Sequence, residues 1–256
     1  MNETFKKRLN RGDLLIGTII TIASPEIGEI YSGAGFDWLF IDLEHSALSV
    51  KDAQVILQST SLGTPCLIRV PSLDDIWIKK ALDIGASGII IPQVKTAEDA
   101  QKAVQLCKYP PEGFRSVGIG RAQGYGENFQ EYVINANDNI AVIIQIEHKD
   151  AVKNMGDIIK VAGIDSVFIG PYDLSASMNK IGRIADADIQ NAIAQVKEIA
   201  ERANIPLGIF GATVDAVRPY IMNGYTLVAI GIDTMLISNA AKGMIEKIKH
   251  IGGNIG

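Results

Sequence analysis

The chain has 256 residues, 47% of them hydrophobic, and a formal net charge of −5. That length allows one large core or two smaller ones. Acids and bases are interspersed, which excludes a cationic stripe for nucleic acid and a polybasic segment for a membrane surface.

Short apolar, β-branched runs alternate with amphipathic segments along the chain. Leu15–Thr21 reads as a first strand and Trp38–Asp42 as a second, followed at once by Glu44 and His45. The apolar stretch from Leu14 to Ala23 is interrupted by Gly17, Thr18 and Thr21. It is too short to span a bilayer and has no cleavage-site pattern behind it, so the expected location is the cytoplasm. A helical pattern over Val50–Ser61 leads to a third strand, Pro65–Val70, with Arg69 near its end. Ile76–Leu82 is again helical, and a fourth strand, Gly88–Pro92, runs into Gln93, Val94 and Lys95. After the helical segment Ala97–Cys107, Tyr109 to Asn139 reads as one long irregular connection with Pro110-Pro111, glycines and aromatics. Connections that long in a compact domain are usually functional or build an interface.

The later strands are Ala141–Glu147, Ser166–Gly170, Leu207–Phe210 and Leu227–Gly231, with helical patterns at Ala187–Ala203, Val214–Asn223 and Thr234–Ile251. Eight such units in series predict a single-domain (β/α)8 barrel over residues 1–256, in preference to an open doubly wound sheet. Cys66 falls in a strand-like run and Cys107 in a helix-like one, without metal-ligand spacing. They read as buried structural thiols in a reducing compartment.

In parallel barrels, ligands bind where strands end. There the chain collects Asp42, Glu44 and His45 after the second strand, Arg69 at the third, Gln145 and Glu147 at the fifth, and Asp173 after the sixth. Glu147 and Asp173 each close an apolar run, and two such carboxylates suit a hard divalent cation that keeps water sites open. Gln145 is two residues from Glu147 and shares its inward face. Gly170-Pro171-Tyr172-Asp173 leads into a helix whose free N–H groups favour an anion such as a carboxylate. A cation on Asp173 beside that turn would grip a 2-oxo acid and acidify the adjacent C–H. His45 would act as base, and Arg69 would stabilise the enolate oxygen.

Each residue also has a plainer reading. His45 can be a surface histidine, Arg69 the partner of a neighbouring acid, Gln145 a polar layer residue, and the two acids solvated loop carboxylates. Gly231-Ile232-Asp233 reads either as a phosphate loop or as a helix cap on Asp233. No nucleotide-binding glycine motif and no nucleophile elbow occurs.

Taken together, these segments resemble the class II, metal-dependent 2-oxo-acid aldolases of the HpcH/HpaI family. The resemblance rests on Gly33-Ala34-Gly35-Phe36-Asp37-Trp38 with Ile41-Asp42-Leu43-Glu44-His45, Ile68-Arg69-Val70-Pro71, and Lys80-Ala81-Leu82-Asp83-Ile84-Gly85-Ala86. It continues through Pro92, Tyr109-Pro110-Pro111 with Arg115, Gln145-Ile146-Glu147 and Ile169-Gly170-Pro171-Tyr172-Asp173-Leu174-Ser175. It covers roughly Gly17 to Ala240.

The resemblance implies cleavage of a 4-hydroxy-2-oxo acid, of the 2-keto-3-deoxy sugar-acid or 4-hydroxy-2-oxoheptanedioate type, to pyruvate and an aldehyde. It implies His45 as base, Arg69 as enolate stabiliser, and Glu147 with Asp173 as ligands of Mg2+, Mn2+ or Co2+. Gln145, Tyr172 and Asp173 would meet the substrate, and Asp83 would raise the basicity of His45. It further implies a homo-oligomer, commonly a hexamer, that exchanges its last helix. Asp83 precedes the fourth strand, at the far end of the barrel, so it would meet His45 only through a neighbouring subunit or an unusual fold of the chain. Tyr172 stands where many relatives have a small residue, and Ile19 where they have an aromatic. Three other readings remain in view: a citrate- or malyl-type lyase acting on a coenzyme A thioester, a Schiff-base aldolase using Lys95, and a non-catalytic oxo-acid-binding barrel.

Overall fold

The computed structural model describes residues 3–60 and 63–253. Eight parallel strands close on themselves in chain order, forming the expected barrel. They are β1 (Leu15–Ile20), β2 (Trp38–Asp42), β3 (Cys66–Arg69), β4 (Gly88–Ile91), β5 (Ala141–Ile146), β6 (Ser166–Ile169), β7 (Leu207–Gly211) and β8 (Leu227–Ile232). Around them lie α1 (Phe5–Arg11), α2 (Pro25–Ala34), α3 (Val50–Ser59), α4 (Asp75–Asp83), α5 (Ala97–Cys107), α6 (Phe129–Asn139), α7 (Lys149–Ile158), α8 (Pro171–Ser177), α9 (Ala187–Arg202), α10 (Val214–Met222) and α11 (Asp233–Gly253). Ser61, the end of the expected third-strand approach helix, lies outside the described residues.

The irregular connection expected from Tyr109 to Asn139 is corrected. It contains a 3-10 turn, Arg121–Gly126, and the three-turn helix α6. Asn135, Asn137 and Asn139 disfavour helix on propensity alone. Only Ala136 of α6 is fully buried, so the apolar stripe that would reveal it is almost missing.

Alternation in the strands sorts side chains into two cores. Outward residues such as Val142, Ile144 and Ile146 pack under the helices. Inward residues fill the barrel: Trp38, Phe40, Leu67, Ile143 and Phe168, with Phe5 and Leu9 of α1 packed into the same cluster. The rings of Trp38 and Phe40 stack at 5.8 Å, and Phe168 meets Phe40 edge-on at 5.9 Å. Two glycines make that packing possible. A Cβ on Gly17 would sit 2.5 Å from the Trp38 ring, and one on Gly208 would sit 2.3 Å from Phe168. Gly17→Ala is therefore expected to destabilise the fold by about 1–3 kcal/mol through overpacking. A lower denaturant midpoint at unchanged slope would show this; an unshifted midpoint would mean that Trp38 has room to move.

Both cysteines are free and buried, as expected. Burial pushes each thiol up to about 12, which keeps both unreactive. No helix among the described residues is long and apolar enough to cross a membrane.

Candidate active site

The inward-facing ends of β2, β3 and β5 carry polar residues, and Asp173 stands in the first turn of α8 after β6. Asp42 and Arg69 are direct neighbours in register across β2 and β3. The Arg69 guanidinium donates from Nε to Asp42 Oδ1 at 2.9 Å and from Nη2 to Oδ2 at 2.7 Å. Both side chains are buried, and this fork geometry is the one that lets a charge pair persist there. Asp42 Oδ1 also accepts the backbone N–H groups of Glu44 and His45, which folds the loop after β2 over the mouth. Glu44 Oε2 lies 3.3 Å from Arg69 Nε and 3.8 Å from His45 Nε2.

Gln145 on β5 and Glu147 just past its end share the inward face, and Gln145 Nε2 donates to Glu147 Oε2. The other carboxylate oxygen, Oε1, accepts both the backbone N–H of Gln93 at 2.7 Å and its Nε2 at 2.9 Å. Gln93 does this from a left-handed backbone, φ +56°, just past β4. Gly170 completes the cradle, since a Cβ there would lie 2.9 Å from Gln145 Nε2 and 3.0 Å from Glu147 Oε2.

Burial pushes Glu147 up to about 7, against the Gln93 hydrogen bond; Glu44 and Asp173 raise it further. Glu44 is likewise pushed up to about 7 by burial, opposed by Arg69 and reinforced by Asp42 and Asp173. Three carboxylates thus share one field, and Glu147 forms no ion pair among the described residues.

His45, Arg69, Gln145, Tyr172 and Asp173 line one cavity with Asp42, Ile19, Phe40, Phe168, Phe210 and Ile232. Glu147 lies against it through Gln145. Asp83 does not join them in this chain: its Oδ1 accepts from Arg115 Nη2 at 2.9 Å. Arg115 itself lies over the Tyr109 ring at 4.5 Å and donates to the Tyr132 hydroxyl at 3.1 Å. Lys95 is outside the cavity lining as well; its backbone is tied to Asp99 and Asn154. The phosphate reading of Gly231-Ile232-Asp233 gives way to another. Buried Asp233 accepts from Thr21 N at 2.7 Å, Thr21 Oγ1 at 2.6 Å, Ile22 N at 2.8 Å and Thr234 N at 2.8 Å. The chain's own carboxylate occupies the donors that an anion would need, and it clasps the end of β1 to the start of α11.

Residues 16–240 match the family described as HpcH/HpaI aldolase/citrate lyase. The chain belongs to this family. It is 38% identical over 254 residues to a hydroxypyruvate/pyruvate aldolase of Roseobacter denitrificans, covering 97% of this chain and 98% of that one. It is 36% identical over 252 residues to a 4-hydroxy-2-oxo-heptane-1,7-dioate aldolase of Klebsiella pneumoniae, covering 98% and 95%. An HpcH/HpaI aldolase/citrate lyase family protein of Burkholderia cenocepacia superposes with a TM-score of 0.92 at 31% identity, covering 95% of this chain and 98% of that one.

For this HpcH/HpaI family member, the raised carboxyls have a thermal consequence. Unfolded glutamate titrates near about 4.3, whereas folded Glu147 and Glu44 hold their protons up to about 7. Between those values the folded state binds more protons, so stability falls as pH rises through that window. Metal-stripped protein is expected to melt a few degrees lower at about pH 8 than at about pH 5.5, and Glu147→Gln to flatten that dependence. Identical pH profiles for the two proteins would contradict it.

Asp42, Gln93 and Asp233 are the site residues that pattern reading left without these roles. The Asp42–Arg69 pair was recoverable, because consecutive barrel strands are neighbours. Gln93 and Asp233 act through loop geometry, which leaves no periodic signal.

Proposed function

We propose that the protein is a divalent-metal-dependent aldolase that reversibly cleaves a 4-hydroxy-2-oxo acid to pyruvate and an aldehyde. One observation carries the reading: Glu147 is buried without a basic partner among the described residues, in the field of Asp173 and Glu44, beside a cavity that bears Arg69 and His45. Carboxylates so arranged suit a hard cation with oxygen ligands. Gln145 Oε1, buried without a hydrogen-bond partner among the described residues, fits a site meant to hold something more. No group of three or more His, Cys, Asp or Glu poised for a metal occurs among the described residues. Glu147 and Asp173 would therefore hold the ion as a pair and leave the rest of its shell to water and substrate. When bound, Mg2+, Mn2+ or Co2+ supplies Lewis acidity at the keto and carboxylate oxygens of a 2-oxo acid.

The residues of the chain divide the remaining work. His45, 61% exposed on its side chain at the cavity edge, takes the proton of the C4 hydroxyl. As the C3–C4 bond breaks, its electron pair moves toward the C2 oxygen. Arg69, held rigid by Asp42, meets the negative charge developing there. Gln145 and the N–H groups opening α8 at Tyr172–Asp173 orient the pyruvate half, and C3 then takes up a proton from water while His45 returns its own to solvent.

Relatives differ by name in the far end of the substrate, a heptane-1,7-dioate in one case and a valerate in another. The test is pyruvate release from a panel of 4-hydroxy-2-oxo acids, sugar-derived and dicarboxylic members included, with and without chelator. Release that is lost in chelator and restored by metal supports the reading; no release from any member opposes it. Borohydride trapping with pyruvate examines the Schiff-base alternative, which the position of Lys95 disfavours.

Self-association belongs to the same proposal. Helix α11 leaves Met244, Ile245, Ile248 and Ile251 exposed, an apolar row that a second copy of the chain would cover. A hexamer would also give Asp83 its route to His45 of a neighbour. A molar mass of one chain in light scattering would refute this part. The reduced state of both buried cysteines suits a cytoplasmic location.

A further inference from the structure

The cavity is divided by strand. Its charged and amide groups come from β2, β3 and β5, from the loop after β2 and from the first turn of α8: Asp42, His45, Arg69, Gln145 and Asp173. The three strands that close the circle, β7, β8 and β1, are consecutive in the closed barrel. They present Phe210, Ile232 and Ile19 to the same cavity. Tyr172 leans across to this side, with its ring centroid 6.2 Å from that of Phe210 and 46% of the residue exposed. The polar residue of that arc is Thr21, and its hydroxyl is already given to Asp233. Asp233 in turn is saturated by four donors.

We infer that this apolar arc receives the aldehyde half of the substrate, so that the enzyme prefers 4-hydroxy-2-oxo acids whose C4 substituent is a hydrocarbon chain. This rests on the aldolase reading above and narrows it. A second carboxylate at the far end of the substrate would meet no free cation on the arc. A polyhydroxylated chain would exchange its hydrogen bonds with water for contact with Phe210, Ile232 and Ile19, which return none. A hydrocarbon chain loses nothing polar there and gains apolar contact. Tyr172 adds a phenol hydroxyl, but a neutral hydroxyl does not pair a carboxylate as arginine or lysine does. Its ring, seated on Phe210, extends the apolar surface outward.

The experiment is aldol addition of pyruvate to pentanal, succinic semialdehyde and glyceraldehyde by the metal-loaded protein, alongside exchange of the pyruvate methyl protons in deuterium oxide. The expected kcat/KM for pentanal exceeds that for each polar aldehyde by at least about tenfold, the scale on which apolar pockets discriminate. Phe210→Ala should cut that preference several-fold, and Tyr172→Phe should keep it. The wild-type ratio decides the question even if Phe210→Ala does not fold. Proton exchange with equal or reversed preference overturns this inference and leaves the aldolase reading standing. Absence of both exchange and addition overturns the two together.

Discussion

Arg69→Met should lower aldolase turnover by about two to three orders of magnitude and destabilise the fold by about 3–5 kcal/mol. The two losses have different origins. The catalytic one removes the guanidinium that faces the cavity from the end of β3. The structural one leaves Asp42 buried and charged, with backbone donors only, and Glu44 without its cation. A double variant separates them. Arg69→Met with Asp42→Asn removes the stranded charge, so much of the stability should return while activity stays low. Arg69→Lys keeps the charge but cannot span both oxygens of Asp42, and it should fall between wild type and Arg69→Met in both readouts. Full activity in the double variant would show that Arg69 serves only to neutralise Asp42.

Asp173→Ala should reduce activity by roughly a thousandfold or more, because a cation that supplies several kcal/mol of charge stabilisation would be lost with its ligand. Glu147→Gln should act in the same direction through the other ligand position. In Glu147→Gln, a neutral amide also replaces a carboxyl that burial and its acidic neighbours already push up to about 7. This variant is therefore expected to be at least as stable as wild type without metal, and to lose the rise in Tm that added manganese gives the native protein. Stability and activity thus move apart at Glu147 and together at Arg69. If Glu147→Gln still gained stability from manganese as wild type does, the ion would be held elsewhere.

Much of this site was legible in the chain because barrel geometry does the sorting. Once consecutive apolar runs are strands, alternation sends Gln145 and Glu147 inward together, and chain order puts Asp42 beside Arg69. Strand ends matched to within a residue or two, since most are marked by a polar residue or a proline. Helix α6 was hidden because its asparagines argue against helix and it buries little. The Asp233 clasp joins residues more than 200 positions apart, a contact that only the closure of β8 onto β1 creates. The apolar arc was half visible: Ile19 and Tyr172 stood out as departures from the family pattern. Phe210 and Ile232 needed the folded ring to place them beside those two.

On the proposed mechanism, Glu147 and Asp173 hold a divalent ion that makes pyruvate acidic at C3, while His45 and Arg69 serve the reaction around it. Exchange of the pyruvate methyl protons in deuterium oxide tests this without an aldehyde. Exchange is expected from the native protein, with its loss in excess chelator and its return with magnesium, manganese or cobalt. Exchange that continues undiminished in chelator would contradict it.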